Sequence, residues 1–415
     1  MKILWFSHLV PYPAVGRGVL QRSYHLVREL ARTHEVHLLA FAQRKLLVDL
    51  LGDVDVGLAE ARRHLEEYCA KVHFLSIPSE ARRWGRAQLA ATSLLGAHPY
   101  TVRWLRSKDA QAVVKKWCGN VDFDVVHFDT ISLAPYRHYC THSALTLDHH
   151  NIESHMMLRR ARTETNPVKR AYFWQEGLRL EKYERRVCPE FDLNITCSSL
   201  DSDRLRVVAP GVSIAEVPNG VDTNYFGPEE GSEQPNSVVF AGAMSRYANA
   251  AAMIFFAEKI WPELKRLKSG VTMDVVGGNP PERLRALAAQ DKDFRVHGFV
   301  PDVRPFIGKA AVYVCPITDG GGTKLKILDA LAMGKAVVAH PIACEGINVS
   351  PGVDVIFARE GREFAVEIVS LLDNAKLRAQ LSRGASSLAE SSYSYSVIGK
   401  TLTQAFERFA PGDAG

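Results

Sequence analysis

The chain has 415 residues, a length that exceeds one ordinary core and predicts two to three domains, of which we expect two. Its 47% hydrophobic and 23% charged residues exclude disordered and fibrous proteins, and a formal net charge of +5 does not indicate a nucleic-acid-binding protein. Seven scattered cysteines without a Cys-x-x-Cys pair argue against a disulfide scaffold or a cysteine zinc site and favour a reducing cytoplasm.

Strand-like apolar runs alternate with a helical stretch in the first half of the chain. Strands are expected at residues 3–7, 36–41, 125–128 and 144–147, and an amphipathic helix over 18–33. Such alternation is typical of a parallel sheet that is covered by helices on both faces.

A second series of the same kind begins at Val238. Further strands are expected at residues 273–276, 312–315 and 336–339, with helices over 249–267 and near 281–289. The predicted fold class is therefore α/β, with two Rossmann-like doubly wound parallel-sheet domains that face each other across a cleft.

Residues 227–236 are rich in turn-forming and acidic residues and have no periodicity, so they predict a linker. The N-terminal domain is then 1–226 and the C-terminal domain 237–394. Residues 395–415 are expected to form a helix and tail that could pack back on the first domain. The N-terminal eight residues do not resemble a signal peptide, and no run of about eighteen apolar residues predicts a membrane-spanning helix. We therefore expect a cytoplasmic protein.

The segment 316–334 predicts a glycine loop followed by a helix, set between two strands. Gly320, Gly321 and Gly322 let the backbone approach a ligand closely. Thr323 is a good N-cap residue for the helix that follows.

Two lysines make this segment informative. Lys324 and Lys326 are expected in the first helical turn, where the helix dipole disfavours a cation by up to about 1 kcal/mol. A diphosphate on the loop would resolve that conflict, with Lys326 reaching it and Asp329 one turn further along the same helix face. The alternative is that both lysines extend into solvent above an ordinary loop. The spacing excludes the Walker pattern of P-loop NTPases.

Gly16, Arg17 and Gly18 follow the first predicted strand. They do not complete a dinucleotide fingerprint, because Gln21 stands where the third glycine belongs. The three residues either form a loop that contacts an acceptor or phosphate, or a loop that merely needs glycine dihedral angles.

Residues 148–153 place two histidines and two carboxylates at a strand-to-helix turn. Successive strand residues point to opposite faces, so His149 and His150 are not expected to share a metal ion. The histidine motifs of zinc hydrolases are absent, and the four Asp-x-Asp pairs are scattered, so no essential divalent metal is expected. One histidine is expected to have a polar role in the cleft; the alternative is a helix-capping turn closed by Asn151 or Ser154.

A long helical stretch, residues 159–186, carries nine basic and four acidic side chains, a net charge of +5. Residues 82–86 and 103–106 add tryptophans flanked by arginines. Such patches suit peripheral contact with an anionic membrane, where each basic residue contributes about 1 kcal/mol. A solvated charged face is the open alternative.

Several segments, in this order and spacing, resemble the retaining family-4 glycosyltransferases of GT-B fold, also called glycosyl transferases group 1. They are residues 217–222, 239–242, 275–278 and 316–338. The resemblance spans nearly the whole chain and is strongest in the C-terminal half. It implies a sugar nucleotide, UDP- or GDP-linked, bound mainly by the C-terminal domain, and a glycan or lipid-linked acceptor bound mainly by the N-terminal domain.

The resemblance also assigns roles to residues at the donor. Asp329 would hold the ribose hydroxyls, and Lys326 would be a phosphate ligand assisted by Arg246, while Asn249 stands where a lysine is common. The first of two family glutamates falls on Gly321, so the carboxylate that usually lies near the donor sugar is missing. The other donor-binding residues would be Gly242, Gly320, Gly322 and Thr323.

His150 matches the family's histidine, which would contact the donor sugar and orient the reacting pair. Lys326, Arg246 and the amides of 320–323 would stabilise the departing diphosphate, so neither a metal ion nor a cofactor is expected. No nucleophilic carboxylate is identifiable, which favours the same-face, front-side reaction proposed for the family.

Two other functions remain open on the sequence. A sugar-nucleotide epimerase of the same build would need acid and base carboxylates at the sugar, and the glycine at 321 counts against it. A non-catalytic sugar-nucleotide-binding protein is made possible by the same missing carboxylate.

Overall fold

The chain folds around two separate parallel β-sheets. The computed structural model describes residues 1–12, 18–81, 83–228, 233–320 and 322–410. By its internal contacts the chain divides into a first unit, Met1–Pro218 with Ile398–Gly415, and a second unit, Asn219–Val397.

The first unit contains a seven-stranded sheet in which every pairing is parallel. Its strand order is β3-β2-β1-β4-β5-β6-β7, the Rossmann-like arrangement that the sequence predicts. The strands are β1 Lys2–Ser7, β2 Glu35–Ala42, β3 Lys71–Ser76, β4 Val125–Phe128, β5 Ala144–His149, β6 Leu193–Thr196 and β7 Ile214–Glu216.

Helices cover this sheet on both faces. They are α1 Gly18–Leu30, α2 Arg44–Leu51, α3 Val54–Leu65, α4 Gly85–Leu95, α5 Tyr100–Arg103, α6 Lys108–Asn120, α7 Glu153–Thr163, α8 Pro167–Val187 and α9 Ser199–Val208. Short 3-10 turns lie at Pro78–Glu80, Ile131–Tyr139 and Cys188–Glu190.

Strand β1 shows why the first sheet has two cores. Successive side chains point to opposite faces, so Leu4 and Phe6 enter one hydrophobic cluster and Ile3 and Trp5 enter another. All four are fully buried. A strand buried on both faces reads as a continuous apolar run, which made β1 easy to predict.

The second unit contains a six-stranded parallel sheet in the order β10-β9-β8-β11-β12-β13. The predicted α/β class with two Rossmann-like parallel-sheet domains is thus confirmed. The strands are β8 Gln234–Ala241, β9 Thr272–Val276, β10 Phe294–Gly298, β11 Ala310–Cys315, β12 Ala336–Ala339 and β13 Ile356–Phe357.

The predicted helix over 249–267 is interrupted by one π-helical turn, Phe256–Ile260. A second π turn lies at Ala389–Tyr393, and a 3-10 turn at Pro341–Cys344. The α-helices are α10 Tyr247–Phe255, α11 Trp261–Leu267, α12 Glu282–Gln290, α13 Arg304–Lys309, α14 Leu325–Ala332, α15 Gly361–Asp373, α16 Ala375–Leu388 and α17 Tyr395–Glu407.

The division between the units lies at Pro218 and Asn219, earlier than the predicted linker at 227–236. The reason is that the intervening residues are tied to the second unit. The Val221 amide donates to the Tyr393 carbonyl at 2.8 Å, and Phe226 joins the hydrophobic core of the second unit. Within the predicted linker, residues 229–232 lie outside the described residues, and Gln234 already begins β8.

Helix α17 changes unit at Ile398. Ile398, Leu402 and Phe406, spaced at one helical turn, enter the same cluster of the first unit as Ile3 and Trp5 of β1. Those three side chains are buried, which places the terminal helix in the core of the first unit.

Two of the seven cysteines lie side by side in the structure, although their spacing in the sequence did not predict this. The Sγ atoms of Cys118, near the end of α6, and Cys140 lie 3.0 Å apart. All seven cysteines are free thiols.

Candidate functional site

Polar side chains gather in the first unit where the strand order reverses. Strands β1 and β4 are neighbours, and the chain adds strands outward from them in both directions. His8 comes directly after β1 and Asp129 directly after β4, while His150 directly follows β5. Open α/β sheets bind ligands at this reversal point, at the carboxyl ends of the strands.

Asp129 is the centre of this group, and it is fully buried. One carboxylate oxygen accepts from the His8 amide at 3.0 Å and from His8 Nδ1 at 2.8 Å. The other accepts from the Ser7 hydroxyl at 2.5 Å and the Ser23 hydroxyl at 3.1 Å. A buried carboxylate with four donors is satisfied and fixed in place.

The two partners shift each other's ionisation. Burial alone would raise the pKa of Asp129, but the His8 charge and the hydrogen bonds from His8 and Ser7 bring this pKa well below its usual value. Burial alone would lower the pKa of His8, but the Asp129 carboxylate outweighs it and raises that pKa. Because Nδ1 of His8 is hydrogen-bonded to Asp129, a ligand could form a hydrogen bond with the His8 ring only through Nε2.

His150 lies beside this pair, with ring centroids of His8 and His150 5.7 Å apart. Its Nε2 is buried and has no hydrogen-bond partner among the described residues. Burial lowers the pKa of His150 to about 4, so the ring is neutral at pH 7. The adjacent His149 points the other way, where Nε2 lies 3.0 Å from the Asn194 amide oxygen. The two histidines thus have separate surroundings, as the strand alternation predicts.

Charged groups surround the histidines. Arg22 donates hydrogen bonds to the Asp148 carboxylate from Nε at 2.9 Å and from a terminal nitrogen at 3.3 Å, and both side chains are 1% exposed. Glu153 begins α7, and burial raises its pKa to about 7. The N-cap of α7 is Ile152, which makes no side-chain capping bond. Ser154, one of two caps considered from the sequence, instead donates to Glu184 of α8.

Among the residues that the structure describes, two groups of side chains have metal-ligand spacing. His8, Asp129 and His150 form one, and Asp148, His150 and Cys197 form the other, with ligand atoms within 4.8 Å in each. A metal ion in the first would displace the hydrogen bond between His8 and Asp129. In the second it would compete with the two bonds from Arg22 to Asp148. The absence of an essential metal remains a prediction.

In the second unit, Lys326 occupies a space that a glycine leaves open. Its Nζ donates to the Asn249 side-chain oxygen and lies 4.8 Å from the centre of the Phe240 ring. A Cβ on Gly242 would lie 2.6 Å from that Nζ and 2.9 Å from Asn249 Nδ2. Asn249 is held by its own bond to the Ala243 carbonyl at 2.8 Å. Gly242 is thus required for the close approach of the ammonium group.

Ionisation is perturbed at both polar residues of α14. Burial lowers the pKa of Lys326 to about 8, and the charges of Lys324 and Arg246 act in the same direction. Burial raises the pKa of Asp329 to about 7, against the opposing effect of Lys326. Within the described residues Lys326 makes no ion pair with a carboxylate. An anionic ligand would restore the balance of charge.

The glycine loop differs in detail from the prediction. The N-cap of α14 is Lys324, one residue later than the expected Thr323. Lys324 folds back, and its ammonium group donates to the carbonyls of Gly320 at 2.7 Å and Gly322 at 2.8 Å. The amide of Gly320 is engaged by Asp319 at 2.7 Å. These contacts fix the loop and leave Lys326, in the first turn, as the lysine that can meet a ligand.

The structure gives the positions of four further residues predicted at the donor site, which are Gly320, Gly322, Thr323 and Arg246. Gly320 and Gly322 have positive φ angles of +117° and +70°, which explains why glycine occupies both positions. The Thr323 hydroxyl is buried without a hydrogen-bond partner in the described part of the chain. Arg246 is exposed at the start of α10, and its charge contributes to the lowered pKa of Lys326.

The remaining predicted residues belong elsewhere or are not described. Gly18 is the first residue of α1 in the first unit. Gly16 and Arg17, of the acceptor-side loop, and Gly321, of the glycine loop, lie outside the described residues.

Sequence reasoning missed His8 and Asp129. The available signal was a charged or titratable residue placed directly after a mostly apolar strand, at the edge where parallel strands end. The two residues are 121 positions apart, and the sequence gave no reason to pair them, because only the strand order makes β1 and β4 neighbours.

Over the described residues, none of the helices combines the length and apolar character needed to cross a membrane.

Comparisons with known proteins bear on the second unit in particular. Residues 235–374 match the family described as glycosyl transferases group 1. An uncharacterized 44.6 kDa protein in the cps region of Klebsiella pneumoniae is 21% identical over 402 residues, which cover 94% of this chain and 96% of that protein. The phosphatidyl-myo-inositol mannosyltransferase of Mycobacterium tuberculosis is 27% identical over 240 residues, covering 55% of this chain and 57% of that enzyme.

Solved structures extend the likeness to the whole chain. Sucrose-phosphate synthase from Thermosynechococcus elongatus matches with a TM-score of 0.69 at 13% identity, covering 98% of this chain and 99% of that one. HepE from Anabaena, solved in complex with UDP, matches with a TM-score of 0.65 at 15% identity, covering 98% and 100%. The domain match confirms the prediction of a glycosyltransferase enzyme, and the solved structures confirm the GT-B fold.

Proposed function

We propose that the enzyme transfers a sugar from a nucleoside-diphosphate donor to a lipid-linked or other glycan precursor, with retention of anomeric configuration. The observation that carries the proposal is Lys326. Its ammonium group is held beside Gly242 with a lowered pKa and no carboxylate at ion-pair distance among the described residues. A diphosphate is the anion that such a site would bind, because it supplies the missing negative charge.

The donor would lie against the second unit. Lys326 and Arg246 would contact the diphosphate, and the Thr323 hydroxyl, which has no partner in the described part of the chain, would supply one further donor. Asp329 would hold the ribose hydroxyls; a carboxyl group with a pKa of about 7 can accept and donate hydrogen bonds there. The UDP bound in the HepE structure makes uridine diphosphate sugars the first donors to test, ahead of the guanosine series.

Leaving-group stabilisation would be the main contribution to catalysis. As the bond from the anomeric carbon to phosphate breaks, its electron pair stays on the diphosphate, where Lys326 and Arg246 offset the developing charge. The acceptor oxygen would bond to the same face of the sugar, and its proton would pass to the departing phosphate oxygen. This front-side path requires no metal ion, no cofactor and no nucleophilic carboxylate.

His150 of the first unit would contact the donor sugar. Its neutral ring, with Nε2 unpartnered among the described residues, suits a hydrogen bond to a sugar hydroxyl. The His8 and Asp129 pair would hold the neighbouring ring in place. The loop of Gly16, Arg17 and Gly18 remains the proposed acceptor-side contact.

The acceptor is proposed from the relatives. The named substrate of the mycobacterial relative is a phosphatidyl-inositol, and the Klebsiella relative is located in a cps region; these support a lipid-linked or polysaccharide precursor. A lipid acceptor would bring the enzyme to the cytoplasmic face of a membrane, where the basic stretch 159–186 would make peripheral contact with anionic lipid.

The direct test incubates the protein with radiolabelled UDP- and GDP-sugars and a bacterial membrane lipid extract, with and without a chelator. Labelled lipid that forms equally in both conditions supports the transfer and its metal independence. An epimerised donor without labelled lipid would show an epimerase instead, and donor binding without turnover would show a non-catalytic protein. NMR of the product at the anomeric centre decides between retention and inversion.

A further inference from the structure

Helices α7 and α8 enclose an apolar surface pocket of about 550 Å³ that the proposed transfer does not use. Leu158 and Ala161 line it from α7, and Ala171, Trp174 and Leu178 line it from α8. The α8 residues recur at intervals of three and four, so they form one stripe along the helix. The volume is in the range of pockets that hold small ligands.

The stripe is exposed to solvent. Trp174 is 58% exposed and Leu178 is 42% exposed, and Val168 nearby on α8 is 77% exposed. Tryptophan is highly buried on average, and contiguous exposed apolar surface marks binding sites. A ligand with an apolar portion is therefore indicated.

Positive charge at the same pocket indicates that the ligand also has an anionic group. Arg162 and Arg170 line it, are exposed and make no ion pair with a described residue. Other arginines of the basic stretch are engaged: Arg179 donates to two backbone carbonyls, and Arg185 pairs with Glu181 at 2.8 Å. The uncommitted positive charge thus lies beside the apolar stripe.

We propose that this pocket binds one hydrocarbon chain of an anionic membrane lipid, with the lipid phosphate between Arg162 and Arg170. The chain covers Trp174 and Leu178, and the guanidinium groups meet the phosphate oxygens, which they bind in bidentate geometry. The tryptophan ring suits the boundary between apolar chain and polar head group.

The inference rests on the proposed peripheral membrane contact and gives it a specific site. The pocket is distinct from the histidine group. At 1.5 Å per residue, Arg162 lies about 14 Å along α7 from Glu153, a residue of that helix whose pKa is influenced by the charge of His8. A lipid in the pocket therefore leaves the carboxyl ends of the strands open.

The first experiment titrates the full-length protein with dodecyl phosphate below its critical micelle concentration and follows tryptophan fluorescence. We expect a blue shift that is absent with inorganic phosphate and at least tenfold weaker with dodecylphosphocholine. The blue shift should disappear in Trp174→Phe and persist in Trp84→Phe. Trp84 is also exposed, at 70%, but it precedes α4 in the other candidate membrane segment, 82–86, so a shift that is lost in Trp84→Phe would place the amphiphile there and overturn the proposal. Equal binding of the two amphiphiles, or no binding, overturns the proposal.

Variants separate the apolar from the charged part, with affinity measured by calorimetry. Leu178→Glu and the double variant Arg162→Gln, Arg170→Gln should each lower dodecyl phosphate affinity at least tenfold. Val207→Glu on α9, 78% exposed, and Arg362→Gln on α15, an exposed arginine, are the matched controls and should bind as the unaltered protein does. Circular dichroism checks that each variant is folded. Unchanged affinity in Leu178→Glu would show that the ligand binds elsewhere.

This result and the proposed function can fail separately. Dodecyl phosphate binding needs no donor and no turnover, so it can succeed where no sugar transfer is found. Conversely, flotation of Leu178→Glu with anionic vesicles at the level of the unaltered protein, together with normal transfer, would leave the function intact and refute the pocket.

Discussion

The candidate site residues of the two units differ in whether their charges are balanced by neighbouring side chains. In the first unit, side chains satisfy one another: Asp129 accepts four hydrogen bonds, and Arg22 pairs with Asp148. In the second unit, Lys326 has a neutral amide as its described hydrogen-bond partner, and its place depends on the missing side chain of Gly242. A group that is internally satisfied contributes stability, whereas a charge left without a counter-ion is available to a ligand. The comparison predicts that substitutions in the first unit mainly lower stability and those in the second mainly lower activity.

The largest effect is expected at Lys326. Lys326→Met should lower kcat/KM for sugar transfer about 100- to 1000-fold, because one donor to the departing diphosphate is lost. Rates with a radiolabelled sugar nucleotide measure it. Lys376→Met, an exposed lysine of α16, is the matched control. A rate for Lys326→Met within threefold of the unaltered enzyme would refute the phosphate role.

In the first unit, Asp129→Asn should destabilise the protein by about 2–3 kcal/mol, because one carboxylate oxygen becomes an NH2 group and the buried donors to that oxygen lose their acceptor. Urea unfolding measures the change. Asp203→Asn, whose side chain is 71% exposed and pairs with Arg206, should change stability by less than about 0.5 kcal/mol. Similar losses in both variants would mean that the buried network contributes little.

The loss in Asp129→Asn should also depend on pH. The lowered pKa of Asp129 gives stability that is present above its ordinary value of 3.8 and is lost as the pH falls through the folded-state pKa. The raised pKa of His8 gives stability that is present below 6.5 and is lost as the pH rises through the folded-state pKa. The difference between the unaltered protein and the variant should therefore be largest near pH 5, and a flat difference from pH 3 to pH 9 would contradict the pairing.

A smaller effect is expected at Gly242. In Gly242→Ala the new Cβ would lie 2.6 Å from Lys326 Nζ, so the flexible ammonium group has to move, and kcat/KM should fall about tenfold. Gly119→Ala is the control, because nothing lies within 4 Å of a Cβ there. If Gly242→Ala transfers sugar as fast as Gly119→Ala, the position of the ammonium group is not critical.

The smallest effect concerns the charge of Lys326 in the free protein. Its lowered pKa means that the cation is unfavourable to folding below pH 8, and this cost disappears as the pH rises from about 8 to 10.5. Lys326→Met should thus stabilise the protein by about 1 kcal/mol at pH 7, less than the full shift because Lys326 is only half-buried. Thermal unfolding of both proteins at pH 7 and pH 10.5 measures the change. If the variant is still more stable than the unaltered protein at pH 10.5, the added stability comes from packing of the methionine and not from removal of the charge.

Much of the fold was accessible from the sequence because its signals are local. The mostly apolar runs of β1, β4 and β11 identify strands buried on both faces, and their alternation with helical stretches predicts two parallel sheets. Element ends were less accurate: the N-cap of α14 is Lys324 and not Thr323. The boundary between the units also differed, because pairing of Val221 with residue 394 is a long-range contact.

Of the candidate site, the sequence by itself predicted the glycine loop, Lys326 and His150. His150 directly follows the apolar strand β5, and the glycine loop and the first turn of α14, which holds Lys326, follow the apolar strand β11. Only the tertiary structure decided that Gly242 makes room for Lys326, across 84 positions of chain, and that His8 pairs with Asp129. It also decided which lysine binds the loop and which one is left for a ligand. The physical reason is that a motif fixes local geometry, whereas the partner, burial and pKa of a charged side chain depend on strands brought together from distant parts of the chain.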